Sequence, residues 1–200
     1  PQRNGKNTQK YLKLFGTFFS GRNKLTMGKI KLIPFISAEK IRRRVAEIAA
    51  EISERFKNEN PILIGILNGS FIFAADLVRE IDSDCEIDFI KISSYSGNQS
   101  KGTVRLIKDI SADITGRHVI IVEDIIDSGL TINFIRDRML DASPLSVSLV
   151  SLLIKPDIAK VEFPIDWIGF EIPPEFVVGY GLDYDQKYRN LKGLYRIEGI

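Results

Sequence analysis

The 200-residue sequence holds one cysteine, Cys85, and one histidine, His118. A single thiol excludes an internal disulfide and any cysteine-based metal cluster, which suits a reducing, cytoplasmic setting and leads us to expect Cys85 as a buried thiol. A single imidazole takes serine–histidine triads, histidine metal sites and an imidazole general base out of consideration, so acid–base chemistry falls to carboxylates or lysines. No apolar run approaches the ~20 residues of a membrane span, and a soluble chain with no membrane partner is expected. Acidic residues are missing from positions 1–26, which carry six of the 28 Lys and Arg, so the remaining body is acidic overall. A body of that sign is a poor general binder of nucleic acid.

What is present is 44% apolar, enough for one α/β domain with a full core and too little, at this length, for two. Residues 1–26 read as a basic N-terminal extension, disordered or dispensable, and residues 27–200, from Met27, as the folded domain. Ser37 caps a helix predicted to run to Phe56, with Ile41, Val45, Ile48 and Ile52 in one apolar stripe opposite a solvated Arg42-Arg43-Arg44 face. The apolar runs 62–67, 119–122 and 146–154 are expected to be strands buried on both faces. Further strands are predicted over 165–170, with Trp167 in the core, and over 194–197. Residues 87–92 and 103–107 alternate apolar with polar and read as an antiparallel pair, leaving 93–102 as a polar loop that is either disordered or a lid.

The segment 118–131 sets Glu123, Asp124 and Asp127 between an apolar strand and a Ser128-Gly129 turn. The turn feeds a helix with Ile132, Ile135 and Met139 at spacings of three and four. Such a junction aims backbone N–H groups and the positive end of a helix dipole at one point, a place for a phosphate, and Ser128 and Thr131 add hydroxyl donors. Adjacent acids at the carboxyl end of a strand, where open α/β sheets bind ligands, suit ribose hydroxyls or a hydrated Mg²⁺. Together these groups describe a ribose 5-phosphate site. A second junction, Asn68-Gly69-Ser70 leading into a helix over 71–81, offers an N–H nest for another phosphate. Lys155 closes a strand and points to the ligand edge. The aromatic, glycine-bearing run from Phe176 to Tyr184 suits a platform against a flat base, with Lys187 and Arg189 placing positive charge nearby.

Glu123-Asp124, two apolar residues, Asp127-Ser128-Gly129, Leu130 and Thr131 resemble the phosphoribosyl diphosphate signature of the phosphoribosyltransferases. With Leu67-Asn68-Gly69-Ser70, Ser94-Tyr95, Ser151 to Lys155, and Phe176 to Tyr184 followed by Arg189, residues 33–197 resemble the 6-oxopurine (hypoxanthine-guanine) phosphoribosyltransferases. The resemblance implies an α/β fold of type I phosphoribosyltransferase kind: an open, mainly parallel sheet flanked by helices, with a small C-terminal hood. It implies transfer of the 5-phosphoribosyl group to hypoxanthine or guanine, with Mg²⁺ as cofactor, in a homodimer or homotetramer.

It also implies roles. Glu123 and Asp124 would hold the ribose hydroxyls, and Asp127, Ser128, Gly129, Leu130 and Thr131 the 5-phosphate, with Asp127 also accepting the purine N7 proton. Lys155 would bond the 6-oxo group, Phe176 would stack on the ring and the Val177 backbone would read its edge. Asp183, near the purine, would bind Mg²⁺ in a metal set with Glu123 and Asp124. Arg189, Asn68 and Gly69 would meet the diphosphate, under a lid containing Ser94 and Tyr95. Many relatives carry lysine or arginine where this chain has Asn68, after a non-proline cis peptide, so positive charge on the diphosphate side is lower here. The competing class is a nucleic-acid-binding regulator of the same fold. The basic arm speaks for it, and Asp127 and the acidic body speak against it.

Overall fold

Short apolar runs between turn-forming residues build the larger of two sheets. In a computed structural model of the protein, residues 30–95 and 103–198 are described, and Lys31–Glu198 form one compact unit. Strands β2 (Ile62–Leu67), β3 (Glu86–Tyr95), β4 (Thr103–Lys108), β5 (His118–Ile126), β6 (Ser146–Ile154) and β7 (Trp167–Glu171) form a six-stranded sheet of order β4-β3-β2-β5-β6-β7. All neighbours are parallel except β3 and β4. β2, β5 and β6 are buried along almost their whole lengths, as parallel strands covered on both faces must be.

Side chains alternate between the faces, so each strand feeds two cores. Leu63, Ile120, Val122 and Val150 pack with helix α1 (Ala38–Arg55) and helix α2 (Phe71–Glu80). Ile62, Ile64, Val119, Ile121 and Leu149 pack with helix α3 (Leu130–Leu140) through Ile132, Ile135 and Met139. Ser37 caps α1 by accepting from the Lys40 N–H, and the stripe Ile41, Val45, Ile48 and Ile52 is buried. A separate antiparallel sheet of order β1-β9-β8 joins β1 (Lys31–Ile36), β9 (Leu194–Glu198) and β8 (Val177–Val178). This is the hood, and it stands beside the carboxyl ends of the parallel strands.

Several expectations are corrected. β5 does not stop at Val122 but continues through Ile126, because Glu123, Ile125 and Ile126 keep their ladder partners on β6. β3 extends to Tyr95, so Ser94 and Tyr95 are the last residues of a strand paired to β4. The remainder of the expected lid, 96–102, and the basic arm, 1–26, lie outside the described residues. Arg44 is not part of a solvated face: its guanidinium donates twice to the Ile168 carbonyl, at 3.2 and 2.9 Å, tying α1 to β7. Cys85 is half-buried rather than buried; desolvation, reinforced by the Asp84 charge, raises its thiol pKa. Among the described residues, no helix is long and apolar enough to cross a membrane.

Candidate active site

The strands β2, β5 and β6 end at one edge, and the turns that leave them supply most of the site. β2 exits through a cis peptide between Leu67 and Asn68. The next residue is glycine for a steric reason: a Cβ on Gly69 would lie 1.7 Å from Asp124 Oδ2. Ser70 turns its hydroxyl back to the Ile66 carbonyl at 2.6 Å, which fixes the start of α2 from inside.

On β5 the two acids point to opposite sides of the sheet. Glu123 is buried, and its Oε2 has no hydrogen-bond partner. Burial, and then the neighbouring Asp124 charge, holds its carboxyl well above the ordinary range. Asp124 lines the main cleft, and burial pushes its pKa up to about 6. Its own backbone N–H, that of Ile125 and the Arg189 charge oppose the rise, while Asp183 adds to it. Glu123 is thus an acceptor short of a donor, and beside the raised Asp124 carboxyl a ligand rich in hydroxyls would supply one.

After β5, Gly129 adopts φ +86, and a Cβ there would come within 2.3 Å of the Lys160 carbonyl. The turn is thereby pressed against the segment that follows β6, and Lys160 N–H donates to the Ser128 carbonyl at 3.1 Å. Glu123, Asp127, Ser128, Gly129 and Thr131 surround a small pocket of about 70 Å³ at the N-terminus of α3. Leu130 contributes backbone rather than side chain: its N–H donates to Ser128 Oγ at 3.4 Å, and its side chain is exposed on a neighbouring groove.

The main cleft, about 300 Å³, runs from Asn68 and Gly69 past Asp124 and Asp127 to Lys155, Phe176 and Val177. Lys155 is buried at the end of β6, and its Nζ donates to Asp127 Oδ2 at 3.2 Å. Phe176 is exposed, with the Tyr184 ring set edge-on to it at 5.8 Å and 87°. Val177 is buried in β8. On the hood side, Arg189 pairs with Asp183 at 2.7 Å and donates to the Gly181 carbonyl at 2.8 Å. The other Asp183 oxygen accepts from the Gln186 N–H at 2.8 Å.

Every expected purine, ribose and diphosphate residue outside the lid therefore lines one of two adjoining pockets, with Leu130 alone turned away. The metal set is more dispersed: Glu123 lines the small pocket while Asp124 and Asp183 line the cleft. Among the described residues, no three His, Cys, Asp or Glu side chains converge as a metal cage. Sequence reading passed over Ile125 and Leu182, which also line the cleft, and Tyr184 as the ring behind Phe176. Ile125 and Leu182 each stand next to a cleft carboxylate, and that adjacency was the available signal.

A small pocket at a helix N-terminus, two buried carboxyls and an amine–carboxylate pair beside an open aromatic ring thus adjoin at the carboxyl ends of β5 and β6. The phosphoribosyl transferase domain matches residues 36–185, which gives the class of protein. Hypoxanthine phosphoribosyltransferase of Haemophilus influenzae is 46% identical over 160 residues, covering 78% of this chain and 89% of that one. A crystal structure of a hypoxanthine-guanine phosphoribosyltransferase from Bacillus anthracis superposes with a TM-score of 0.79 at 44% identity, covering 85% of this chain and 100% of that one. Hypoxanthine phosphoribosyltransferase from Trypanosoma cruzi, in complex with the product IMP, gives 0.77 at 36%, covering 88% and 98%. The chain belongs to the hypoxanthine-guanine phosphoribosyltransferase family, within the phosphoribosyl transferase domain class.

Proposed function

We infer that this protein is a purine-salvage glycosyltransferase. It moves the 5-phosphoribosyl group from 5-phospho-α-D-ribosyl 1-diphosphate to hypoxanthine, guanine or both, and releases IMP or GMP and diphosphate. The observation that carries this reading is the buried Lys155 amine, 3.2 Å from the Asp127 carboxylate, at the Phe176 end of the cleft. A lysine donates only, so it matches the 6-oxo group, and the adjacent carboxylate accepts the proton that N7 releases. Phe176 stacks on the ring, and the Val177 backbone reads its edge.

The Ser128 to Thr131 turn takes the 5-phosphate through N–H groups and hydroxyls at the start of α3. Glu123 and Asp124 accept from the ribose hydroxyls, and their negative charge favours the cationic ribose formed as diphosphate leaves. Asn68, Gly69 and Arg189 meet the diphosphate, with Arg189 the charged member because Asn68 is neutral. Mg²⁺ is commonly held by one or two carboxylates plus substrate phosphates rather than by a full protein cage, which fits Asp183 and Asp124 without a third ligand. When bound there, it would offset charge on the departing diphosphate.

β3 is paired to β2 only as far as Lys91, so Ser94 and Tyr95 overhang the edge from which Asn68 emerges. That overhang supports 94–102 as a lid that excludes water during transfer. The proposal takes residues 27–200 as the catalytic domain. It includes a homodimer or homotetramer, supported by exposed apolar side chains such as Ile107, Leu140 and Leu145, and a cytoplasmic setting, supported by the lone thiol. The test is diphosphate release by purified protein supplied with phosphoribosyl diphosphate, Mg²⁺ and each base in turn. Release with hypoxanthine or guanine and not with adenine is expected. Release with none of them, or with adenine first, would overturn the reading.

A further inference from the structure

Asp183 and Arg189 lie in the connection between β8 and β9 of the hood, whereas Asn68 and Gly69 follow β2 of the larger sheet, so something must hold the two sides of the diphosphate end together. One contact is backbone to backbone. Gly181, at φ +103, packs so closely that a Cβ on it would fall 2.0 Å from the Gly69 carbonyl. The other is made by Tyr180. Its ring is buried at 6% exposure, and its hydroxyl donates to Asp76 Oδ2 on α2 at 2.7 Å. Tyr180 itself has φ +49, between Gly179 and Gly181 at +104 and +103. A tyrosine in the left-handed region is conformationally unfavourable and persists only where its surroundings fix it. The backbone around it is pinned as well: Tyr180 N–H donates to the Leu191 carbonyl at 2.8 Å and Gly181 N–H to the Arg189 carbonyl at 3.0 Å.

We propose that the Tyr180–Asp76 hydrogen bond is a latch that positions the Arg189–Asp183 pair over the Asn68–Gly69 turn, and so sets affinity for the diphosphate part of the substrate. α2 begins directly after that turn, so a bond from Tyr180 to Asp76 references the hood to the helix that carries the diphosphate loop. Arg189 donates to the Gly181 carbonyl, next in chain to Tyr180, and follows wherever the latch holds that turn. Neither Tyr180 nor Asp76 lines the cleft; both act through residues that do. This inference rests on the proposed reaction only in the identity of the substrate.

The test uses Tyr180→Phe, Asp76→Ala, the double variant, and Asp76→Asn, whose amide oxygen still accepts from the tyrosine. A net hydrogen bond corresponds to roughly two- to tenfold in an equilibrium constant. KM for phosphoribosyl diphosphate should therefore rise roughly two- to tenfold in the first two variants and no further in the double variant. Asp76→Asn should restore it. Product IMP carries no diphosphate, and its dissociation constant, read by calorimetry, should change by less than about twofold. Equal losses for phosphoribosyl diphosphate, hypoxanthine and IMP, or a lowered melting temperature with unchanged KM, would reduce the contact to a structural one and overturn the latch. Calorimetry with inorganic diphosphate applies the same comparison even if the wild-type protein turns over no purine, so the latch and the reaction can fail separately.

Discussion

Asp127 and Lys155 answer to different substitutions. Asp127→Asn keeps volume and the hydrogen bond from Lys155 possible but removes the proton acceptor. Turnover should fall by ~10² to 10⁴ with substrate affinities little altered, and a wild-type kcat with every purine would remove Asp127 from the mechanism. Lys155→Gln should weaken hypoxanthine and guanine use and narrow the gap to adenine, since an amide both donates and accepts. A buried group left unsatisfied costs ~1–3 kcal/mol, more when charged, and such mismatches support up to ~10⁴-fold discrimination. The readout is kcat/KM for the three bases, and an unmoved ratio would leave Lys155 without a selective role. Asp124 gives a stability prediction. Its carboxyl has an ordinary pKa of 3.8, raised in the fold to about 6 by burial, so the folded state holds the proton more tightly than the unfolded one. Stability from this group is complete below about 3.8, is lost as pH rises towards 6, and stays lost above. Asp124→Asn should therefore unfold at higher urea than wild type at pH 7.5 and show little gain at pH 4; the reverse order would contradict the burial of that charge. At this scale the sequence was legible wherever function is local. The acids, the turn from Ser128 to Thr131 and Lys155 lie in short runs whose chemistry is explicit. The bond between Asp76 and Tyr180 spans 104 positions, and nothing in either neighbourhood announces it.

Among the elements, β2 and β6 were read to their observed limits because each is an apolar run closed by turn residues or by Lys155-Pro156. β5 was cut short at Val122, since charged residues look like a strand's end. In fact the acids are carried inside the ladder, a departure from the burial pattern of the kind that a functional site would require. β1 escaped notice because only Ile36 in it is buried, and β8 because two residues carry no period. Both exist by pairing with β9. The loop after β4 depends on one side chain: Asp88 accepts from the Phe89, Ser111 and Ala112 N–H groups and from Lys108. Partial burial works to raise its pKa, but those four donors outweigh burial and hold it below the ordinary value. Its stabilisation is thus present above about pH 4 and lost as pH falls further through the lowered value. Asp88→Ala should destabilise by ~1–3 kcal/mol, because two loop N–H groups lose their acceptor. Urea unfolding should show a lower midpoint with an unchanged slope; an unchanged midpoint would mean that the loop is held by other contacts.

For the molecule as a whole, the acid-free arm and the acidic body invite one comparison. A chain beginning at Met27 should keep the kcat/KM of the full chain, because every cleft residue lies beyond it. Salt-dependent binding of nucleic acid by the full chain but not the shorter one would instead give the arm a role of its own. The doubly covered parallel sheet was foreseeable from its apolar strands. The hood was expected only through the family resemblance, since it joins the first described strand to the last and no local pattern marks it. That pairing carries a consequence for biosynthesis. Among the described residues, β9 is the only strand partner of β1 and of β8, and it is synthesised after every strand of the larger sheet. At ~5–20 residues per second, β1 waits on the order of ten seconds or more for its neighbour. The six-stranded sheet can form during that interval, but Arg189 and Asp183 have no settled frame until β9 arrives. The nascent chain is therefore catalytically silent until β9 has been made, and a premature stop a few codons upstream of Leu194 would leave a folded sheet with an unroofed cleft.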